Sequence, residues 1–563
     1  MRIRHILAGA AAATAAVASA IVLPMTATAG ESTEYTVLAE PGVSGADAVA
    51  AIEAAGGEIV SRNDAVGMYR VVSSDKTFAA DARKAGELVG AARRTPIGYA
   101  PKVRPTAPDP VEAEHLTAAG RKARGASAAK AGATAGMDPL DDKLWGLGMV
   151  KSDQARGTNP GSKQVKVGIL DTGLDASNPD LAANFDAGAS RNFAKDMTDI
   201  DGPCEVASCL DPVGTDDGGH GTHVAGTVGA AANGFGLSGV APNVSLVELK
   251  GGQDSGYFFL EPTVNALTYA GDAGLDVVNM SFYVDPWLYN CLNAPEDSDE
   301  ARIEQMVIIA GMTRALDYAH HKGVTLVGAL GNNHEDLGDP RTDTSSPDYP
   351  ADTAYPRTID NDSCWDLPVE GPHVIGVSSL GPSGKKSDFS NYGTEQISVA
   401  APGGWFRDGY GTPTFRTPGN MILSAYPKKV LQEEGLVDAD GNITPGGAGA
   451  VFKDCTTSGE CGYYTFLQGT SMAAPHASGV ASLIVSAHGS ASGSGFGLAP
   501  SKVEKHLYKT ADTHACPTPR LQTYTNEGRS PEFNAYCEGG EKFNGFYGYG
   551  IVDAYAAVTT PLR

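Results

Sequence analysis

The pattern of apolar and polar positions along the 563-residue chain changes character three times. Residues 1–29 open with Arg2, Arg4 and His5, run apolar from Ile6 to about Leu23 and end in Ala27-Thr28-Ala29. Charge, short apolar core and small-residue cleavage motif in that order predict a secretory signal peptide, since the run barely reaches the length of a membrane span. In residues 30–100, "YTVLA" and "GMYRVVSS" predict strands, while "GADAVAAIEAAG" and "AADARKAGELVGAA" predict weakly amphipathic helices: a small α/β domain. Residues 101–137 turn Pro-rich, then Ala/Gly-rich and basic, without an apolar period. They predict a linker whose Arg121, Lys122, Arg124 and Lys130 are open to cleavage. From residue 138 to 563 the continuous apolar runs "QVKVGILDTG", "LDVVNMSF", "GVTLVGALGN" and "HVIGVSSL" alternate with helical stretches such as "TVNALTYAGDAG" and "RIEQMVIIAGMTRALDYAHHKG". Runs that do not alternate predict strands buried on both faces, hence an α/β fold with a mostly parallel sheet between helices. Sites in such sheets lie at the carboxyl ends of strands, where Asp171 and Asn332 fall.

Composition adds little to the class: 42% hydrophobic and 19% charged residues describe an ordinary globular protein. Charge adds more. The net charge is −24, and the excess of acids lies beyond residue 137. An acidic surface of that kind excludes nucleic acid and anionic membrane as partners and suits a soluble exported protein that binds a cation. Nothing in the sequence demands a partner subunit, so a monomer is expected. Eight cysteines in an exported chain predict disulfides, although about 105 pairings are open. Short loops favour Cys204 with Cys209, Cys455 with Cys461 and Cys516 with Cys537, which leaves Cys291 with Cys364.

The stretch "VGILDTGLD" places Asp171 in an Asp-Thr-Gly, and Asp254-Ser255-Gly256 follows downstream. An aspartic protease would need two such loops on two similar lobes. Asp254 follows the polar "VELKGGQ" and belongs to no second lobe, so a polar turn is expected there. A hydroxyl nucleophile instead needs a His to take its proton and a carboxylate to hold that imidazole. "DDGGHGTHVAGTVGA" supplies His220, and "GTSMAAPHASGVASLIVSA" supplies Ser471 at a loop-to-helix junction with unpaired amides. His220 and His223 form HxxH without the zincin glutamate, so His223, like His476, is expected to be structural.

The order Asp, His, Ser with these flanking sequences resembles the subtilisin-like serine proteases from about Asp141 to Val558. The resemblance implies a three-layer α/β fold, endopeptidase activity through an acyl-enzyme, Asp171 as orienting acid, His220 as general base and Ser471 as nucleophile. "LVGALGNN" is similar to the family's oxyanion segment and implies that Asn332 donates to the tetrahedral oxyanion. The segments that pair with substrate peptides in the family match Gly252, Ser255, Gly256 and Tyr257, and Ser281, Phe282 and Tyr283. The last of these departs from the family's usual Ser-Leu-Gly-Gly. Insertions at 285–302 and 334–365 are placed to narrow the cleft. "NPDL" and "AAANGFGLSGVAP" resemble the family's calcium loop, implying Asp180, Asn233, the carbonyls of Ala231, Phe235 and Leu237, and Asp141 as ligands. Residues 30–100 resemble propeptides that fold ahead of these proteases and inhibit them, so the partners expected are peptide substrates and the chain's own propeptide. Two other readings of the residues remain open at this stage: an inactive peptide-binding relative, and a lipase-like or esterase-like serine hydrolase. "GTSMA" is not the GxSxG elbow of the latter class.

Overall fold

Seven parallel strands built from the apolar runs form the centre of the molecule, a computed structural model that describes residues 32–93, 111–114, 138–350, 352–492 and 495–562. In spatial order they are Ile397–Pro402, Val374–Leu380, Thr325–Ala329, Val277–Met280, Lys166–Asp171, Ser245–Lys250 and Arg191–Asn192. Successive side chains of Lys166–Asp171 enter different cores. Val167 and Ile169 pack with helices His220–Gly229 and Thr470–His488, and Leu170 packs with helices Leu260–Asp272 and Asp299–His321. Both faces are therefore dry, which is why the strand reads as one apolar run. Lys166–Asp171 is the first strand of this sheet along the chain, yet it sits inside the sheet with later strands on both sides. The order reverses there, and Asp171 ends the strand at the crevice this reversal opens.

The N-terminal residues form a four-stranded antiparallel sheet in the order Glu58–Asn63, Met68–Ser73, Thr33–Ala39, Leu88–Arg93, with helix Gly45–Ala54 on it. One expectation changes. "AADARKAGELVGAA" is not one helix: a single turn at Phe78–Ala82 gives way to the strand Leu88–Arg93, which pairs with Thr33–Ala39. The weak amphipathicity of that stretch left the decision to tertiary pairing. Leu38, Val66, Met68 and Ala92 lay one face of this sheet on helices Leu260–Asp272 and Asp299–His321. Arg314 of the second helix donates to the carbonyls of Ala39 at 2.7 Å and Val66 at 3.1 Å, and Asn63 donates to Asn265 and Thr268 at 2.9 and 2.8 Å.

The four disulfides are Cys204–Cys209, Cys455–Cys461 and Cys516–Cys537, which short loops favour, and the remaining pair Cys291–Cys364. Cys291–Cys364 ties the two insertions together through the short ribbon of Asn290–Cys291 with Cys364–Trp365. Arg357, fully buried, locks the same junction: it bonds Asp343 at 2.8 Å, Gln305 at 2.9 Å and the Tyr289 carbonyl at 2.7 Å. The expected signal peptide and most of the expected linker lie outside the described residues. Among the described residues no helix is long and apolar enough to cross a membrane.

Candidate active site

Asp171 ends its strand fully buried, and its Oδ1 lies 2.7 Å from His220 Nδ1. The same oxygen accepts the Thr172 amide at 2.8 Å, which fixes the carboxylate's rotamer. His220 opens helix His220–Gly229, and Asp216 sets the turn before it. Asp216 Oδ2 accepts from the Thr222 amide at 2.8 Å and hydroxyl at 2.6 Å, and its Oδ1 accepts from Thr172 Oγ1 at 2.9 Å and Gly219 N at 2.8 Å. The glycine after His220 has a steric cause: a Cβ on Gly221 would stand 2.1 Å from the Gly173 carbonyl. A bulkier residue there would push the imidazole off Asp171.

Ser471 lies in the first turn of helix Thr470–His488, and its Oγ donates to the Ser281 carbonyl at 3.4 Å. Asn332 follows strand Thr325–Ala329, and its Oδ1 accepts from Thr470 N at 2.9 Å and Thr470 Oγ1 at 3.0 Å. With the carbonyl oxygen so engaged, the amide Nδ2 is left for a ligand. Thr470 N, Met472 N and Ala473 N are engaged, which leaves the Ser471 amide as the first-turn donor beside it. Acid, imidazole, hydroxyl and amide thus converge from four elements.

With Asp171 buried behind His220, imidazole, hydroxyl and amide line one cavity of about 480 Å³. It holds His220, Ser471 and Asn332, the edge residues Ser255, Gly256, Tyr257, Ser281, Phe282 and Tyr283, and insertion residues Asp285, Leu288, Ser345 and Asp348. Gly252 is absent from the lining: a Cβ on it would meet the Phe258 ring at 2.6 Å, and that ring stacks on Phe282 at 4.1 Å. The aromatic stack covers the glycine and takes it off the expected substrate edge. The insertions do reach the cleft.

Sequence reasoning missed Glu112. Residues 111–114 of the linker form a turn in the cavity mouth, and Glu112 Oε1 faces His220 Nε2 at 3.4 Å. Anchors flank it: Gln468 N donates to the Glu112 carbonyl at 3.2 Å, Gln468 Nε2 to the Val111 carbonyl at 2.8 Å, and Arg407 Nε to Glu114 at 2.6 Å. Burial disfavours a charged His220, but the Asp171 carboxylate and then that of Glu112 outweigh it and hold the imidazole pKa well above its usual value.

The other polar motifs resolve differently. Lys250, fully buried, donates to Asp254 at 2.6 Å and to the Thr172 carbonyl at 2.8 Å, so the Asp254-Ser255-Gly256 carboxylate is an ion-pair partner. His223 Nε2 bonds the Ile422 carbonyl at 3.0 Å and His476 Nδ1 the Met472 carbonyl at 2.8 Å. Burial lowers their pKa values to about 3 and about 4, so both stay neutral packing residues.

At the calcium-like loop, Asp180 Oδ2 accepts from Leu237 N at 2.9 Å and Tyr464 at 2.7 Å, while its Oδ1 is buried without a hydrogen bond. Asn233 lies beside it. Asp141 does not join this group: Arg156 at 3.1 Å and Ser238 N at 2.8 Å engage its two oxygens. Asp138 stands next to Asp180 instead, and its Oδ2 is likewise buried and unbonded. Two orphaned carboxylate oxygens beside Asn233 fit a hard divalent cation.

Comparison with known proteins agrees with this geometry. Residues 162–550 match the model of the subtilase family. Subtilisin DY of Bacillus licheniformis is 29% identical over 65% of this chain and 90% of its own length. The major intracellular serine protease of Bacillus subtilis (strain 168) is 31% identical over 61% of this chain and 74% of its own. Among solved structures, the epidermin leader peptide processing serine protease of Staphylococcus aureus shares the fold, with a TM-score of 0.58 at 18% identity over 94% of this chain and 98% of its own. Fold, sequence match and the elements converging on one cleft make the chain a subtilisin-like serine endopeptidase of the subtilase family.

Proposed function

We propose that the protein is an exported endopeptidase that hydrolyses peptide bonds through an acyl-enzyme and is made as a self-processed precursor. His220 takes the Ser471 proton as the oxygen attacks the substrate carbonyl, then returns a proton to the leaving amine. Asp171 holds the imidazole tautomer and stabilises its charge, and Asn332 Nδ2 with the Ser471 amide receives the oxyanion. The observation that carries this reading is the 2.7 Å contact of Asp171 with His220 in the cavity that also holds Ser471 and Asn332.

Residues 30–100 act as the inhibitory propeptide and 101–137 as the processed linker. Two features support this: the N-terminal sheet packs on two helices of the larger unit, and Glu112 of the linker faces His220 Nε2. The Glu112 carboxylate beside Nε2 favours the protonated imidazole and so opposes transfer of the serine proton until the linker is cut. Four disulfides suit an oxidising compartment, in line with the N-terminal signal pattern. Calcium is held by Asp138, Asp180 and Asn233 with the loop carbonyls, and when bound it neutralises the two buried carboxylates and ties residues 231–237 to the N-terminal edge of the catalytic unit.

The test is the intact mass of the precursor and of its Ser471→Ala form after secretion from a host lacking extracellular proteases. Loss of the N-terminal residues from the wild type alone is expected. Equal processing of both forms would contradict self-processing, and an unprocessed wild type without peptide hydrolysis would contradict the activity.

A further inference from the structure

The active-site cavity is lined by six acidic side chains and by no lysine or arginine. Five of the six have partners. Glu112 faces His220, Asp217 pairs with Lys429 at 2.5 Å and Asp254 with Lys250 at 2.6 Å. Asp285 and Asp348 bond each other and accept from Phe258 N and, at 2.6 Å, from Tyr283 Oη. The sixth is Asp366. It is 3% exposed, and only its backbone is engaged: its amide donates to Glu370 Oε2 at 2.5 Å, and its carbonyl accepts from Glu370 N at 2.8 Å. Among the described residues its carboxylate has no hydrogen bond and no ion pair. Around it, Tyr289 Oη and Glu370 Oε1 are also buried and unpartnered.

The placement of this carboxylate is rigid. Asp366 follows the ribbon that Cys291–Cys364 closes, and the next residue, Leu367, accepts the Val284 amide at 2.8 Å. Asp366 Oδ2 lies 3.4 Å from where a Cβ on Gly331 would stand, one residue before Asn332. It therefore borders the backbone that presents the oxyanion donor, on the side of the cavity that Ser281, Phe282 and Ala329 also line. A substrate whose carbonyl sits at Ser471 and Asn332 directs the side chain of its acyl residue between these two backbones. Ala329 and Leu288 offer apolar surface for the stem of such a side chain, and Asp366 awaits its tip. Burial, with the Glu370 carboxyl beside it, pushes the empty Asp366 carboxyl well above the usual carboxylate range, the mark of a buried acid lacking its counter-ion.

We propose, resting on the peptidase reading above, that this pocket selects lysine or arginine as the residue immediately before the cleaved bond, with Asp366 as the specificity-determining acid. The sequence agrees with this: Arg121, Lys122, Arg124 and Lys130 lie in the chain between the expected propeptide and the catalytic residues, so the chain carries its own substrate sites.

The test uses fluorogenic peptides that differ only in that residue: arginine, lysine, norleucine, phenylalanine or glutamate. Norleucine keeps the lysine stem without the charge. A buried ion pair to the substrate is expected to favour lysine over norleucine by about 100-fold in kcat/KM. In Asp366→Asn, matured in trans by tagged and then removed wild-type enzyme, that ratio should fall to near one, with norleucine hydrolysis still measurable as proof of a folded site. The mature wild-type N-terminus should directly follow Arg121, Lys122, Arg124 or Lys130. Equal cleavage of norleucine and lysine peptides by the wild type, or a ratio that Asp366→Asn leaves intact, overturns the proposal while the peptidase reading stands. If the folded wild type cleaves no peptide of the panel, the peptidase reading falls and takes this proposal with it.

Discussion

His220 stands between two carboxylates, and each makes a separable contribution. Asp171 is buried, bonded and permanent, so Asp171→Asn should leave the fold intact and lower kcat by about 10⁴-fold through loss of the working tautomer. Stopped assays on purified mature protein measure this. On the proposed reading Glu112 belongs to the processed linker and acts only in the precursor. Its charge favours the imidazolium, so Glu112→Gln lowers the His220 pKa in the precursor and makes the basic form available at lower pH. Self-processing of that variant should rise with pH earlier than in the wild type, while the pH profile of the mature enzyme is unchanged. Identical precursor profiles would remove Glu112 from the account. Asp171, His220, Ser471 and Asn332 were legible in the sequence because each sits in a short motif whose neighbours serve the same site: Gly221 for clearance, Thr470 for the Asn332 amide. Glu112, Asp216 and Asp366 were not. Their importance comes from what the chain path brings beside them, and a lone acid in a polar loop carries no sign of that.

At the level of elements, two loops carry the load. The calcium-like loop has Asp138 and Asp180 side by side, each with an oxygen lacking a hydrogen bond. Burial, with the Asp138 charge, raises the Asp180 carboxyl to about 7. Calcium requires the ionised form, so its stabilising effect is present above that value and fades as pH falls through it. Calcium at 100 times its Kd should stabilise the wild type by about 2.7 kcal/mol, and Asp138→Ala should abolish the increment while Asp141→Ala retains it. Thermal unfolding with and without chelator at pH 8 and pH 6 checks both statements. Sequence spacing drew attention to this loop but assigned Asp141 to it, because it did not show that Arg156 and Ser238 hold that carboxylate elsewhere. The insertions, by contrast, fold around Arg357, which pairs with Asp297 at 3.4 Å as well as with Asp343, and Arg357→Ala leaves both carboxylates buried without their cation. That change should cost about 3–5 kcal/mol of stability, measured by denaturant unfolding.

Over the whole molecule, the apolar runs predicted the parallel sheet because burial on both faces leaves no alternation to misread. The N-terminal unit was harder: its Ala-rich segments carry little amphipathic signal, and the strand Leu88–Arg93 exists because Thr33–Ala39 offers it an edge. That unit docks on the helices beside the cleft, and the linker returns to the cleft at Glu112, so inhibition and processing become one structural question. Arg314 supports the docked state through two carbonyls, and Arg314→Ala should release the cut N-terminal fragment about 10-fold faster, as followed by size exclusion after processing. The central claim is that His220 activates Ser471 for attack. Its most direct measurement is covalent labelling of the processed protein with an organophosphonate, followed by peptide mapping. The account predicts one adduct per molecule, on Ser471, and its loss in His220→Ala. An adduct on another serine, or labelling of Ser471 that does not depend on His220, would contradict it.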